Sequence, residues 1–419
     1  MLNAIVNYNR IYFYNLILIA LLLPFTEYIW RQFMSIAIIL LVVSWLLLSD
    51  KNEVFRKIKT NKIIFLLIAV YFINVNGLFR ETGTEVAGKV LIKKVSLFLL
   101  PVIVGTSPFL NHNRIKLILV AFISSLFVST LFTYSKGVTY LLELQEDITA
   151  VANVIIIHRP YYGLLDAFAV LALLLFFHKK QSGLIWLVLS LAIIYLCLFL
   201  AIIYAKMGLI AILVSLAFLV FCWFAFTKRF TLLIITSLFV LGAAITTYQL
   251  KPSVQNYTSK ILEGKDFSFS EYNVVLVGSI NTRYVNWGCA YVILKENKNW
   301  LYGVGPGNAQ NLLQSCYKVR NEWVYHSRMN AHNQFIEELL QNGITGLVLF
   351  TGSLFIPFII GLHRKDYLYL SFLMVFILCC LTESVLGRQI GIVFYAFFNS
   401  LLLFNSKEKN GSDTNSINV

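Results

Sequence analysis

Long apolar runs separated by short hydrophilic breaks constrain the fold of this chain more than any other feature. Hydrophobic residues make up 58% of its 419 residues, charged residues only 13%, and the mean hydropathy is +0.75. A helix needs about 20 apolar residues to cross the hydrocarbon core of a bilayer. Such a helix also satisfies its backbone hydrogen bonds internally, as lipid requires. The sequence therefore predicts an all-α, polytopic membrane protein.

The apolar runs predict about twelve transmembrane helices, although several runs are shorter than a straight span needs. If the N-terminus is cytoplasmic, every second break between the runs is basic, as the positive-inside rule requires. The expected spans are residues 11–25, 32–49, 63–78, 91–107, 117–135, 161–177, 184–204, 208–226, 231–249, 344–362, 367–386 and 390–404.

This topology divides the chain into four parts. Residues 1–249 hold the first nine transmembrane helices, and residues 250–343 form one large extracytoplasmic loop that contains short helices. Residues 344–404 hold the last three transmembrane helices, and residues 405–419 form a disordered cytoplasmic tail. No convincing cleavage site follows the first apolar run, which we therefore expect to remain as an anchor.

The formal net charge of +14 has two possible explanations, nucleic-acid binding and membrane topology. The basic residues fall mainly in the breaks between apolar runs, which favours topology. We therefore expect membrane lipid, and no nucleic acid, as a partner.

The large loop has a helical pattern of its own. Apolar spacing over 281–297 predicts an amphipathic helix with Arg283 in its first turn, and a second short helix passes through Leu312. The Gly/Pro-rich segment 303–308 between them lacks the spacing of a P-loop, and a tight turn is the favoured interpretation. Cys289 and Cys316 both lie in this loop, where a disulfide is one possibility that the sequence leaves open.

The segment 330–343 closes the loop and carries a histidine at the expected start of an amphipathic helix. Asn330 is the expected N-cap, which would place His332 in the first turn, on the face of Phe335 and Leu339. Gly343 is the expected end of this helix.

The predicted outer face offers basic side chains and histidine rather than a recognisable metal motif. The chain has no HExxH, no Asp-x-Asp pair, no zinc-type Cys/His spacing and no GxSxG, so neither a metal nor a cofactor is indicated. The basic candidates are Lys206, Arg283, and Arg159 beside His158.

Five ionisable residues also lie in or beside apolar runs, where each costs about 2.5–3.5 kcal/mol to insert and is a functional candidate by default. For the lysines and the arginine, snorkelling to the interface is the favoured alternative. The two acids are expected to pair with a buried cation or a hydroxyl rather than to react. These residues are Lys93, Lys94, Asp166, Glu383 and Arg388.

Fixed cations and one histidine suit a substrate that carries its own charge and leaving group, such as a lipid diphosphate. The cations would neutralise the departing diphosphate, and His332 would accept a proton from the attacking hydroxyl as general base. An imidazole that only seats the loop on the helix bundle is an equally open interpretation.

Three motifs stand together in the C-terminal half of the chain: Thr282-Arg283-Tyr284-x-x-Trp287, the segment 302–308, and Asn-Ala-His-Asn-Gln-Phe-Ile at 330–336 followed by 343–347. Together they resemble the signature of the O-antigen ligase and O-antigen polymerase superfamily of membrane glycosyltransferases. The resemblance covers about residues 180–400 by motif and the whole chain by topology.

The resemblance implies a set of site residues. The family's two basic positions and its loop histidine carry over to Lys206, Arg283 and His332, with Arg283 and His332 catalytic. Lys206 is a departure, because the family commonly has Arg there and a lysine loses the bidentate grip on phosphate. The diphosphate would be held by Lys206, Arg283 and Arg159, and the expected further substrate contacts are His158, Tyr162, Asn330, Asn333 and Arg388.

The resemblance also implies a reaction and a location. A glycan would move from undecaprenyl diphosphate to a lipid A–core sugar hydroxyl at the periplasmic face of the bacterial inner membrane, without metal or cofactor. A polymerase would use another lipid-linked glycan as acceptor, and a third branch of the family uses a protein hydroxyl. A glycolipid flippase and a structural scaffold are the rival classes.

Overall fold

The computed structural model describes residues 2–27, 31–75, 84–144, 157–176, 182–229, 231, 279–320 and 322–405. Within these ranges the chain is helical, with two short 3₁₀ helices at Leu23–Phe25 and Val385–Gly387. The α-helices are α1 (Leu2–Leu22), α2 (Arg31–Leu48), α3 (Lys51–Thr60), α4 (Ile63–Val75), α5 (Thr84–Lys94), α6 (Ser96–Thr106), α7 (His112–Leu144), α8 (Arg159–Phe176), α9 (Gly183–Ile202), α10 (Lys206–Phe226), α11 (Ser279–Asn297), α12 (Pro306–Arg320), α13 (Glu322–His326), α14 (Gln334–Arg364), α15 (Tyr367–Cys380) and α16 (Gln389–Phe404).

The all-α, polytopic class is confirmed, but the expected twelve spans are not. In the described residues, five helices are long and apolar enough to cross a membrane, or six if α2 and α3, bent by 109°, count as one. The helices α4, α15 and α16 are apolar but shorter, and the run 91–107 is divided between α5 and α6. The expected span 231–249, the loop segment 250–278 and the tail 406–419 lie outside the described residues, apart from residue 231.

The core of the bundle surrounds α16. Every residue of α16 from Ile390 to Leu403 is buried, so this helix has no face exposed to lipid. Its Phe398 packs edge to face against Phe122 of α7 and Phe168 of α8, with ring centroids 5.0 and 4.9 Å apart. A helix buried on all sides needs apolar residues all round rather than on one stripe, which is the pattern that this run has.

The helix that begins at Gln334 is interrupted at Gly343, and a second helical segment of α14 follows across a kink. Gly343 has φ 67° and ψ −163°, and a Cβ at this position would come within 2.4 Å of the Leu301 backbone. The residue after the kink lies against the turn that follows α11, because the Ile344 N–H donates to the Trp300 carbonyl at 2.8 Å. The expected break of the helix at Gly343 is therefore present, although α14 resumes after it and runs to Arg364.

The helices α11–α13 form a separate lobe with its own small core, which we call the outer lobe. Its core includes Leu313, Tyr317 and Val324, and it packs on Leu340 of α14. Cys289 of α11 and Cys316 of α12 form a disulfide with a Cα–Cα distance of 5.9 Å. The expected turn at 303–308 is present, and the N–H groups of residues 304 and 305 donate to carbonyls of α14.

Candidate functional site

The histidine lies just before α14 and not inside it. The N-cap is Asn333, whose Oδ1 accepts from the N–H groups of Phe335 and Ile336 at 2.9 and 3.1 Å. The expectations that Asn330 is the N-cap and that His332 is in the first turn are therefore wrong. Asn330 instead accepts the His332 N–H at 3.0 Å, and His332 has a left-handed backbone with φ 47°.

His332 pairs with a carboxylate from a distant part of the chain. Its Nδ1 lies 3.0 Å from Oε2 of Glu383, which follows α15. The His332 side chain is 21% exposed and that of Glu383 only 6%, so the ring reaches the surface while the carboxylate lies behind it. Glu383 was expected to pair with a cation or a hydroxyl, and the sequence did not indicate the histidine as its partner.

Arg283 reaches the same loop from the outer lobe. Its Nε and one terminal nitrogen both donate to the Thr382 carbonyl, at 3.3 and 3.1 Å. Because α11 begins at Ser279, Arg283 is its fifth residue and lies beyond the expected first turn. Trp287, one turn further on, donates from its ring nitrogen to the Ala331 carbonyl at 3.0 Å. The outer lobe thus contacts both loops that carry the His332–Glu383 pair.

A second group of charges lies at the start of α8. The N–H of His158 donates to Oε2 of Glu27 at 3.2 Å, and Arg388 forms an ion pair with the other carboxylate oxygen at 3.3 Å. The guanidinium of Arg388 also lies 5.8 Å from the ring centroid of Tyr161. Tyr161 in turn donates to the backbone carbonyl of Val385 at 3.3 Å, which ties α8 to the Glu383 loop.

Lys206 and Arg159 lie at the N-terminal ends of two helices that cross closely. The crossing is between Gly163 of α8 and Gly208 of α10, where a Cβ on Gly208 would come within 2.6 Å of the Gly163 Cα. Lys206 is exposed, and Arg159 is half-buried. Both cations therefore lie at the end of α8 that also carries His158.

Tyr162 faces the bundle interior and not this end of the molecule. Its side chain is fully buried, and its hydroxyl lies 2.8 Å from the hydroxyls of both Ser129 and Thr133 on α7. The expected contact between Tyr162 and substrate stays a prediction, and the structure shows its hydroxyl bonded within the bundle. Asn333, also an expected contact, is buried. Its amide oxygen caps α14, and its amide nitrogen donates to the Leu381 carbonyl.

Two expectations about ionisable residues in apolar runs are wrong. Asp166 of α8 is fully buried, and neither carboxylate oxygen has a hydrogen-bond partner among the described residues, so the expected cation or hydroxyl is absent there. Lys94 does not snorkel to the interface. It is buried and donates to Asn74 at 2.8 Å, with Glu338 at 3.8 Å. Lys93 is exposed and donates to the Gly387 carbonyl at 2.8 Å.

The electrostatics of the site centre on Glu383. Burial alone would raise the pKa of this carboxyl, but the His332 hydrogen bond and the charges of His332, His158 and Arg388 lower it below its usual value. Burial lowers the pKa of Arg283, which the attraction of Glu383 partly opposes. A guanidinium stays protonated at neutral pH in either case. Among the described residues, no group of three His, Cys, Asp or Glu side chains is arranged to hold a metal ion.

The sequence alone did not single out two further residues of this site, Gln334 and Glu337. Both lie in the first turn of α14 and are buried. The only sequence signal for Glu337 is an acidic residue near a helix N-terminus, which is common and has a simple electrostatic explanation. Their roles depend on hydrogen bonds to residues 331, 384 and 386, which only the fold brings near.

The comparison with protein families supports the motif resemblance. Residues 191–351 match the family model described as O-Antigen ligase. This range contains Lys206, Arg283 and His332, and it ends before Glu383. A search of curated proteins found no match.

Proposed function

We propose, from the match of residues 191–351 to the family model described as O-Antigen ligase, that the chain is a membrane glycosyltransferase with an undecaprenyl diphosphate-linked glycan as donor. The members of this family are glycosyltransferase-like enzymes that act on lipid-linked glycans. The acceptor that we propose is a sugar hydroxyl of lipid A–core. The proposal rests on one observation above all, the hydrogen bond between His332 and Glu383 on the surface of a membrane domain.

In this proposal the pair works as an oriented general base. With the proton on Nδ1 directed to Glu383, the lone pair is on Nε2, where it can accept the proton of the acceptor hydroxyl. The acceptor oxygen then attacks the anomeric carbon of the donor while the bond from that carbon to the diphosphate oxygen breaks. The diphosphate leaves with the bonding electrons. A single displacement of this kind inverts the anomeric configuration.

The leaving diphosphate needs positive charge near its oxygens, and the arrangement of cations supports this role for four residues. Arg283 lies beside the Glu383 loop, Arg388 lies at the start of α16, and Arg159 and Lys206 lie at the crossing of α8 and α10. Preorganised cations of this kind stabilise charge that develops in the transition state, which a metal ion does in other enzymes.

We place the site at the periplasmic face of the inner membrane. The disulfide in the outer lobe supports this location, because disulfides persist in oxidising compartments such as the bacterial periplasm. The basic breaks at the opposite helix ends, such as Arg364 and Lys365 at the end of α14, are typical of the cytoplasmic side.

The test is a transfer assay with purified protein in detergent, an undecaprenyl diphosphate glycan and two acceptors, lipid A–core and a second lipid-linked glycan. We expect transfer to lipid A–core, unaffected by EDTA, and a loss of about 10²–10⁴-fold in His332→Ala, the usual contribution of a general base. His363→Ala is the matched control, because His363 lies exposed at the other end of α14.

Each outcome discriminates between functions. Extension of the lipid-linked glycan alone would identify a polymerase instead of a ligase. Normal transfer by His332→Ala would remove the histidine from the mechanism. The absence of transfer to either acceptor by folded wild-type protein would contradict the proposal itself.

A further inference from the structure

One buried carboxylate joins the two loops that carry the His332–Glu383 pair. Oε2 of Glu337 accepts the Ala331 N–H at 3.0 Å and the Ser384 hydroxyl at 3.2 Å. Ala331 directly precedes His332, and Ser384 directly follows Glu383. A single oxygen atom thus fixes the residues next to both members of the pair, although the two loops are about fifty positions apart in the chain.

A second side chain of the same turn of α14, Gln334, strengthens this connection. Oε1 of Gln334 accepts the Leu386 N–H at 2.7 Å, and its amide donates to Glu338 at 2.9 Å. The second oxygen of Glu337 accepts from Gln341. Both carboxylate oxygens of Glu337 and both ends of the Gln334 side chain therefore have partners. We call these two residues the platform, because they hold the two loops against the first turn of α14.

The backbone at His332 needs such a support. A left-handed φ of 47° is unfavourable for a residue with a Cβ and persists only where surrounding contacts impose it. The Glu337 contact holds the N–H of Ala331, the residue immediately before His332. Without this bond, the loop loses one of the contacts that keep the ring beside Glu383.

We propose that Glu337 is a positioning residue that holds His332 and Glu383 at hydrogen-bond distance, an inference that rests on the proposed function of that pair. Glu337 does not touch substrate, since its side chain is buried behind both loops. Its role is to accept two hydrogen bonds, and an uncharged acceptor of the same shape serves that role. A role in opposing the helix dipole would instead require the negative charge.

The kinetic test compares three variants. Glu337→Ala is expected to lower kcat by about 10²-fold with little change in the KM of either substrate, as a misplaced catalytic group does. Glu337→Gln keeps an acceptor oxygen and is expected to restore most of kcat. Ser384→Ala removes one of the two bonds and is expected to cost about fivefold, the equivalent of one hydrogen bond. Glu85→Ala is the control, because it removes an exposed glutamate from α5.

A second measurement does not depend on activity. Hydrogen–deuterium exchange of the peptide that contains Ala331 should be faster in Glu337→Ala than in wild-type protein and unchanged in Glu337→Gln. In a double-variant cycle, Glu337→Ala should add little to the loss already caused by Glu383→Gln, because both act on the same pair.

The outcomes separate the two proposals. Faster exchange at Ala331 together with an inactive or histidine-independent wild-type enzyme would keep the platform and reject the proposed function. A histidine-dependent enzyme whose Glu337→Ala variant has normal kcat and normal exchange would reject the platform alone. Equal losses in Glu337→Gln and Glu337→Ala would show that the charge, not the two hydrogen bonds, is what matters.

Discussion

Two clusters of charged and polar side chains flank the first half of α14, and they differ in how far their side chains are exposed. The site cluster consists of His332, Glu383, Arg283 and Arg388, and the buried cluster consists of Lys94, Glu338, Asn74 and Asn342. In the buried cluster each group meets a partner: Lys94 donates to Asn74 at 2.8 Å, and Asn342 donates to Glu338 at 2.8 Å. In the site cluster, His332 is partly exposed and Arg388 is half-exposed.

The two clusters use consecutive residues of α14 for different contacts. Glu337 contacts the two loops that carry His332 and Glu383, whereas Glu338 contacts Lys94 and Asn342. Helical spacing directs consecutive side chains about 100° apart, so one turn serves both clusters. The buried cluster joins α14 to α4 and α5, and the site cluster is the one to which we assign the proposed reaction. Charge at membrane depth is therefore not by itself a sign of catalysis here.

Among the variants that compare the two clusters, replacement of Arg283 in the site cluster should have the largest effect. Arg283→Ala is expected to lower transfer by about 10³-fold, since a preorganised cation at the leaving group contributes on that scale. Arg283→Lys keeps the charge but loses the fork that holds the Thr382 carbonyl, and an intermediate rate is expected. The measurement is the initial rate of glycan transfer per mole of folded protein. If the alanine variant works at the wild-type rate, Arg283 has no part in the chemistry.

Disruption of the buried cluster should change stability and not chemistry. Lys94→Met leaves Glu338 without its cation, and the loss of one partner of a buried pair costs about 3 kcal/mol. We expect a lower thermal midpoint in detergent and a retained rate per folded molecule. Lys89→Met is the matched control on the same helix, because Lys89 pairs with Glu85 on an exposed surface. A catalytic defect in Lys94→Met at full stability would erase the distinction between the clusters.

The sequence was a good guide to features that are local. Apolar length indicated helices, the spacing of Trp287 and its neighbours indicated α11, and the loop motifs singled out His332 and Arg283, whose side chains both contact the loop after α15. The basic breaks indicated a topology. Each of these signals is contained within a few turns of chain, and propensity and periodicity act over that distance.

The sequence was a poor guide to features that depend on tertiary contacts. Whether Asn330 or Asn333 caps α14 depends on where the loop must turn to bring His332 to Glu383, and both asparagines are suitable caps in isolation. Glu383 and Lys94 each have a partner from a distant part of the chain, which no local pattern records. The twelve expected spans are not confirmed in the described residues, because an apolar run does not reveal whether a helix crosses the membrane straight, bends, or is too short.

The smallest predicted effect is a pH-dependent difference in stability that the Glu383 carboxyl alone should cause. Its pKa lies below the usual value in the folded protein, so ionised Glu383 stabilises the fold at pH values above the ordinary carboxyl range. This contribution is lost as the pH falls through the lowered pKa, where the folded protein finally binds the proton. Wild-type protein should therefore be more stable than Glu383→Gln at pH 6–7 by about 1 kcal/mol, and this difference should shrink as the pH falls below the ordinary carboxyl pKa of about 4.3. The measurement is the thermal midpoint of both proteins across this pH range. A difference that stays constant would mean that the His332–Glu383 contact owes its stability to shape and not to charge.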